Sequence, residues 1–550
     1  MKIVLVSIDS KYIHTNMALR YLKANLDMES DLMEFTIKDS DDFIYDQIVQ
    51  ASPDLMAFSI YIWNVEKAIR IIKQIKSTLP SLIVIGGPEI SFEPLHFMNH
   101  YPIDYIICGE GEVAFNDLIN ALDQNKPISS ISGLVYHKDD LIIQNKMTII
   151  QDLNSLKNPY LDPLDIPNLP SRIQYIETSR GCPFHCSYCL ASLENRVRFF
   201  DIERVKSDLL YLMNHGAKTF KFLDRTFNLK VDYALELFKF IIEHHREGTV
   251  FQFEITGDLL PKALIEFLNQ NAPKWLFRFE IGIQSTNEAT NLSVDRKQNN
   301  AVLFDNIRLI QSAKIIDLHL DLIAGLPEEN LERFAKTFDD VFSLYPKELQ
   351  LGFLKMLRGT KIRREANQYG YLYDENPPYE IISNQVLSPK DIEEIHLTEE
   401  VLETFWNKGF MNQTFETIIR QVPSAFGFMN AFGHYLLDSK FDFHRFQLSD
   451  LFNVLSEYIQ KTEPLKHPIV FDSLKYEYLV RSQIKPKIWW DNALDKTDKN
   501  PILKDFHKSH KTYNPNDLYK YAIVTPYKGK HLIVLYYPDK LEVIEYQKKR

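Results

Sequence analysis

Cysteine is scarce: the 550-residue chain has four. That excludes a disulfide framework as the source of its stability. Positive charge is also short. Lys and Arg number 63 against 74 Asp and Glu, a formal net charge of -11. The chain as a whole therefore lacks the basic balance of a nucleic-acid binder. Only residues 501–550 reverse the sign, with ten basic against five acidic side chains, which reads as a solvated surface. No apolar run approaches the ~20 residues that span a bilayer. The opening MKIVLVSID is apolar only briefly and reads as a first strand, not a leader. A cytoplasmic protein with neither membrane nor nucleic acid as partner is the expectation. No G-x-G-x-x-G follows that strand, which argues against a nicotinamide or flavin dinucleotide. Internal repeats and low-complexity tracts are absent too.

What is present points to several domains, about three or four at ~150 residues each. Over residues 1–130, apolar strand candidates alternate with helical stretches: KIVLVSID, FTIK, LMAFSIYI, LIVIGG and YIICGE, with MALRYLKANL and VEKAIRIIKQIKSTLP between. This predicts an α/β fold, a Rossmann-like doubly wound parallel sheet. Ligands of such sheets sit beyond the carboxyl ends of the strands. Two glycine-rich turns stand there, Gly86-Gly87-Pro88-Glu89 and Gly109-Glu110-Gly111-Glu112, and glycine lets backbone approach a ligand closely. Cys108, at the end of the fifth strand, reads as a small buried hydrophobe.

Residues 131–170 read as a linker: a hairpin turning on Lys138-Asp139-Asp140, then a connector spaced by Pro159, Pro163, Pro167 and Pro170. Directly after the strand candidate IQYIETS come the other three cysteines, in RGCPFHCSYCLAS. Cys182, Cys186 and Cys189 are spaced C-x3-C-x2-C. Structural zinc requires four ligands, usually in C-x2-C pairs, and His185 lies awkwardly beside Cys186. Three thiolates on a four-iron cluster leave one iron open for a substrate or cofactor.

This spacing, with Tyr188 just before the last cysteine, resembles the signature of radical S-adenosylmethionine (SAM) enzymes. The resemblance implies a [4Fe-4S] cluster on Cys182, Cys186 and Cys189. Its open iron would chelate SAM, whose sulfonium is cleaved by an electron from the cluster. It also implies a partial TIM barrel of six βα units over residues 171–370. Strand candidates follow in that order: TFKFLDRTF, VFQFEITGD, LFRFEIGIQS, LHLDLIAGLP and ELQLGFLKML. By match to the family, Tyr188, Glu254, Gln284, Arg296, Ile323 and Leu326 are candidates for SAM binding. Asp224 stands where the family often has Gly-Gly-Glu for the SAM amino group. Preceding GGPE and GEGE turns resemble a cobalamin-binding module, which makes Gly86, Gly87, Glu89, Gly109, Glu110 and Gly111 candidates for that cofactor. The Asp-x-His-x-x-Gly motif of other cobalamin enzymes is absent, and His14 does not fit it. Residues 371–550 look mainly helical, with a late strand pair turning on Lys528-Gly529-Lys530. LKMLRGT followed by PPYE resembles the opening of an uncharacterised C-terminal domain found on cobalamin-type radical SAM proteins. Tyr379, Trp406, Trp489 and Trp490 read as packing aromatics. The resemblance implies cobalamin-dependent methyl transfer to an unactivated centre of an unknown small molecule, with flavodoxin or ferredoxin as reductant. Radical cyclisation or rearrangement, tRNA methylthiotransferase-like modification and a non-enzymatic cobalamin or redox sensor are the alternatives.

Overall fold

The computed structural model describes residues 1–462, 465, 467–482, 484–486 and 494–547. Trp489 and Trp490 lie outside the described residues. The chain forms two compact units, residues 1–330 with 351–389, and residues 331–350 with 390–550. This division does not follow boundaries at 130, 170 and 370.

The first unit opens with a seven-stranded sheet. Its strands are β1 (Ile3–Asp9), β2 (Ser30–Thr36), β3 (Leu55–Ser59), β4 (Leu82–Gly86), β5 (Tyr105–Ile107), β6 (Leu134–Lys138) and β7 (Leu141–Gln144), in the order β2-β1-β3-β4-β5-β6-β7. Pairings among the first five are parallel. Alternation along the buried strands explains the layering. Val4, Val6, Met56 and Phe58 point into one core with Ile69 and Ile72 of helix Val65–Lys76. Ile3, Leu5, Leu55 and Ala57 point into the other with Phe115 and Leu118 of helix Glu112–Asp123. The second strand starts earlier than FTIK suggests, because its polar residues at the sheet edge hide the apolar pattern.

The hairpin read as linker is instead the end of this sheet. β6 pairs antiparallel with β5 and with β7, and Asp139 turns with φ 53°. The proline-spaced connector is not the semi-extended spacer that its prolines suggest. It folds into short 3₁₀ turns at Leu153–Ser155 and Pro163–Asn168. Asp162 pairs with Lys23 at 2.5 Å, and Asp165 with Arg20 at 2.6 Å. Arg20 also holds Glu34, which accepts from Arg172 at 2.6 Å.

Next comes the six-stranded sheet expected of a partial barrel: β8 (Ile173–Ile176), then, after the short antiparallel pair β9 (Ser179–Arg180) and β10 (Arg198–Phe199), β11 (Thr219–Phe222), β12 (Val250–Ile255), β13 (Phe277–Gln284), β14 (Asp317–Ala324) and β15 (Glu348–Phe353). They neighbour one another in chain order. Phenylalanines fill the outer face. Phe220 stacks on Phe251 at 4.6 Å, Phe222 on Phe253 at 4.3 Å, and Phe238 of helix Val231–His244 wedges against Phe253 and Phe277. Period 2 then turns the polar residues inward. Lys221 and Glu280 pair there at 3.0 Å. Two short strands, β16 (Leu372–Tyr373) and β17 (Ile381–Ser383), complete the unit.

The second unit is mainly helical, with helices that include Leu331–Phe342, Ala425–Asp438, Leu448–Lys461 and Pro468–Arg481. Among the described residues its late strands number three, not two: β18 (Ala522–Tyr527), β19 (Lys530–Tyr536) and β20 (Leu541–Tyr546), all antiparallel. Trp406 is buried and its indole N–H donates to the Pro346 carbonyl at 3.0 Å. Among the described residues, no helix is long and apolar enough to cross a membrane.

Candidate active site

The cysteine loop is pinned at both ends. Asp224, just past β11, accepts from the Thr178 amide at 3.0 Å, the Thr178 hydroxyl at 2.6 Å and the Ser179 hydroxyl. Gly181 has φ +94°, and a Cβ there would collide with the Arg196 carbonyl, so the chain needs glycine before Cys182. The Cys182 amide donates to the Glu194 carbonyl at 2.9 Å and the Ser187 amide to the Val294 carbonyl at 2.9 Å. Cys182 and Cys186 are buried and Cys189 is partly so. Burial pushes the Cys182 and Cys189 thiols up. A cationic metal group is what would hold them as thiolates.

All three cysteines line one cavity of about 270 Å³. Among the described residues, no three His, Cys, Asp or Glu side chains gather tightly enough for a single metal ion. The three sulfurs share that cavity wall, and His185 is exposed and does not line it. Three cysteines with neither a histidine nor a fourth cysteine in the cavity lining suit a cluster with one open iron.

Four of the proposed SAM residues reach this cavity: Tyr188, Glu254, Gln284 and Arg296. The Arg296 guanidinium donates to the Tyr188 hydroxyl at 3.3 Å and the Gly282 carbonyl at 2.5 Å, and lies 3.9 Å from the Cys186 sulfur. Gln298 orients it, accepting from Arg296 Nε at 3.0 Å. Gly282 leaves room for the Gln284 amide, which a Cβ there would displace. Gln284 Oε1 is buried at the cavity with no partner, a polar group awaiting a ligand donor. Burial raises the Glu254 carboxyl, against the pull of Arg225, 4.0 Å away.

Three SAM candidates are not brought there. Ile323 and Leu326 do not line the cavity, and Leu326 is fully buried. The backbone beside them is already taken, since the Gly325 carbonyl accepts from Tyr371 Oη at 2.9 Å and Asn384 Nδ2 at 3.1 Å. From β14 it is Asp321 that faces the cavity. Asp224 is the third, a buried anchor of the cysteine loop. Sequence reasoning missed Arg225, Glu280 and Asp321 at the cavity wall. The signal for Glu280 and Asp321 was the alternation in FRFEIGIQ and DLHLDLIA, which places them on the inner face; Arg225 lies just past β11, outside both runs.

Asp224 yields a pH prediction. Burial pushes its carboxyl up to about 6 in spite of its three donors. The folded value exceeds the unfolded one, so its contribution to stability is full below about pH 4 and is lost as pH rises through about 6. Asp224→Asn has no such titration. Between pH 4 and 7, urea unfolding of the wild type should lose on the order of 2 kcal/mol relative to this variant. Parallel pH profiles for the two proteins would contradict the assignment.

The acids of the glycine turns are occupied as well. Buried Glu89 accepts from Arg358 Nε at 2.9 Å and from the Tyr379 hydroxyl. Glu110 accepts from Arg198 and Arg180 at 2.9 to 3.1 Å. Both therefore tie the sheet to the barrel segment and are not free ligand groups. Gly87, at φ +122°, lets β4 pass close to the Ile60 carbonyl. Gly109, at φ +81°, lies against the Met147 sulfur. Gly86 and Gly111 likewise face backbone and a Leu22 methyl. His14 is bonded to Tyr175 Oη at 2.6 Å on β8. What the strand ends do offer is apolar surface. Tyr12, Ile13 and Trp63 are exposed, and Trp63 stacks on Tyr61 at 4.4 Å. Ile62, Trp63 and Glu66, with Lys355, Pro377 and Pro378, line a second cavity of about 390 Å³ beyond β3 and β15.

Comparison with known proteins places three family models on the chain: the B12 binding domain over residues 3–119, the radical SAM superfamily over 176–341, and a protein of unknown function (DUF4080) over 367–535. The cobalamin-dependent radical SAM methyltransferase TokK of Streptomyces tokunonensis is 27% identical over 304 residues, 51% of this chain and 44% of TokK. The uncharacterized methyltransferase PH0819 of Pyrococcus horikoshii is 35% identical over 166 residues, 28% of this chain and 36% of its own length. The chain thus spans less than half the length of these relatives. Among solved structures, the cobalamin-dependent S-adenosylmethionine radical enzyme OxsB has the same fold. It aligns with a TM-score of 0.60 at 16% identity, over 87% of this chain and 83% of OxsB.

Proposed function

We propose that this chain is a cobalamin-dependent radical SAM enzyme that transfers a methyl group to an unactivated centre of a small molecule. The observation that carries this reading is the single cavity onto which Cys182, Cys186 and Cys189 open together with Gln284 and Arg296. The residues fit the groups they would hold. Three thiols on one cavity, two buried and one partly so, suit a [4Fe-4S] cluster with one open iron. Arg296 brings a guanidinium charge to the cavity, with Nε and Nη2 held by Gln298 and the Gly282 carbonyl and Nη1 the edge that would turn to a carboxylate, and the unpartnered Gln284 Oε1 offers an acceptor to an ammonium or hydroxyl. The exposed Trp63 face, with the cavity beyond β3, suits a flat macrocycle at the carboxyl edge of the sheet. When bound, the cluster and SAM supply radical initiation and cobalamin supplies the methyl group.

The chain's own residues bind, orient and exclude water. The backbone bonds around Cys182 and Ser187 hold the thiols at the mouth of the barrel. Gln298 and the Gly282 carbonyl fix the Arg296 fork before ligand arrives. Glu254, Glu280 and Asp321 make the inner wall acidic, which favours the sulfonium of SAM over an anion. The phenylalanine layer behind the strands keeps the barrel wall dry. Support for the reading comes also from TokK and OxsB, whose names state cobalamin and radical SAM chemistry. A flavodoxin or ferredoxin would supply the electron.

The test is anaerobic purification with iron, sulfide and hydroxocobalamin. Corrin should be retained at one per chain, and a reductant should drive cleavage of added SAM. SAM cleavage without retained corrin would turn the reading toward a radical reaction without methyl transfer. Neither activity would sink it.

A further inference from the structure

The turn after β5 carries two carboxylates that reach across to the cysteine loop. Glu110 receives Arg198 at 2.9 and 3.0 Å, Arg180 at 3.1 Å and the Ile150 amide at 2.6 Å. Glu112 receives Arg180 Nη2 at 2.7 Å. Arg180 also holds Glu177 at 2.9 Å, and Arg198 also holds Glu194. Arg180 and Arg198 face each other as register partners in the β9–β10 pair. That pair leads straight to Cys182, whose amide is bonded to the Glu194 carbonyl.

The charges in this network do not cancel. Two guanidinium groups meet four carboxylates, a formal surplus of two negative charges. Glu112 is only 6% exposed, and its Oε2 is buried without a partner. It is the first residue of helix Glu112–Asp123, where the helix dipole favours an anion. A buried negative surplus beside a metal cluster opposes the addition of an electron. Net charge and burial are among the factors that set the potential of such clusters.

We propose that Glu112, anchored on Arg180 of the strand pair that leads to Cys182, keeps the cluster strongly reducing through its buried charge. This rests on the functional reading above, in which Cys182, Cys186 and Cys189 carry that cluster. It also gives the glycine turn a different task from the cofactor cradle its sequence suggests. The domain that would carry cobalamin sets the electron-donating power of the domain that would carry SAM.

The test is a redox titration of the reconstituted full-length protein, followed by electron paramagnetic resonance, with iron and corrin content measured in parallel. Glu112→Gln keeps the shape and removes one negative charge. At a fixed potential its ratio of reduced to oxidised cluster should rise about tenfold, a shift of about 59 mV for a one-electron couple. Glu112→Asp keeps the charge and should stay at the wild-type midpoint. Glu177→Gln, which removes a less buried acid from the same arginine, should move in the same direction as Glu112→Gln. This variant covers the case in which Glu112→Gln fails to fold. A wild-type midpoint in both glutamine variants, at full iron content, would overturn the proposal. Equal shifts in Glu112→Asp and Glu112→Gln would do so too, because geometry and not charge would then be at work. A wild-type protein that takes up no four-iron cluster would overturn the functional reading, and this proposal with it.

Discussion

Cys186→Ala, reconstituted with iron and sulfide, is expected to hold no [4Fe-4S] cluster and to form 5′-deoxyadenosine from SAM only at the rate of a protein-free control. The sulfur is one of three on the cavity, and it is the one beside the Arg296 guanidinium. A cluster already short of one protein ligand cannot lose a second and keep its four irons in place. The fold should survive the change. The loop is held by backbone bonds from Cys182 to Glu194 and from Ser187 to Val294, and by the Ile362 amide on the Ser187 carbonyl at 3.0 Å. None of these uses the thiol. Circular dichroism should therefore match the cluster-free wild type, while iron content and the cluster's visible absorbance vanish. A variant that keeps full absorbance would remove Cys186 from the ligand set.

Arg296→Met should raise the concentration of SAM needed for half-maximal cleavage by about ten- to a hundredfold, the worth of a charge-assisted hydrogen bond to a buried partner. The side chain it replaces is held on three sides, by Tyr188, Gln298 and the Gly282 carbonyl. Little rotamer entropy is left to lose on binding, so its contribution is close to full strength. Lysine at this position keeps the charge but not the planar fork, so Arg296→Lys should recover only part of the affinity. Iron content should be unchanged in both variants, which separates a SAM-binding defect from loss of the cluster. Wild-type dependence on SAM concentration in Arg296→Met would contradict the role.

Much of this was legible in the sequence because it follows from local pattern. The barrel strands show as short apolar runs, and their phenylalanines at every second position mark the outer face. The three thiols show by spacing alone. What was not legible is the partner of each charged residue at a strand end. Glu110 meets Arg198 across 88 residues of sequence, and Glu89 meets Tyr379 across 290. Asp224 has the right type and place for a ligand group, yet it is spent on Thr178 and Ser179. A carboxylate just past a strand reads the same in sequence whether it faces a cofactor or a neighbouring loop. Tertiary packing decides between them. The hairpin at residues 134–144 was found in sequence, but its place at the sheet edge depends on pairing with β5, which no local signal encodes. Ile323 and Leu326 follow from the family match; Ile323 shares the inner face of β14 with Asp321 but lies beyond the cavity wall, and Leu326 lies past the strand and is fully buried.

The central claim is that three thiols leave one iron open for SAM. Mössbauer spectroscopy of the protein reconstituted with iron-57, before and after addition of SAM, tests it most directly. One of four iron sites should shift to the parameters of a more highly coordinated ion when SAM is added, with the other three unchanged. Four iron sites that do not respond to SAM, or a protein that takes up no four-iron cluster, would contradict the account.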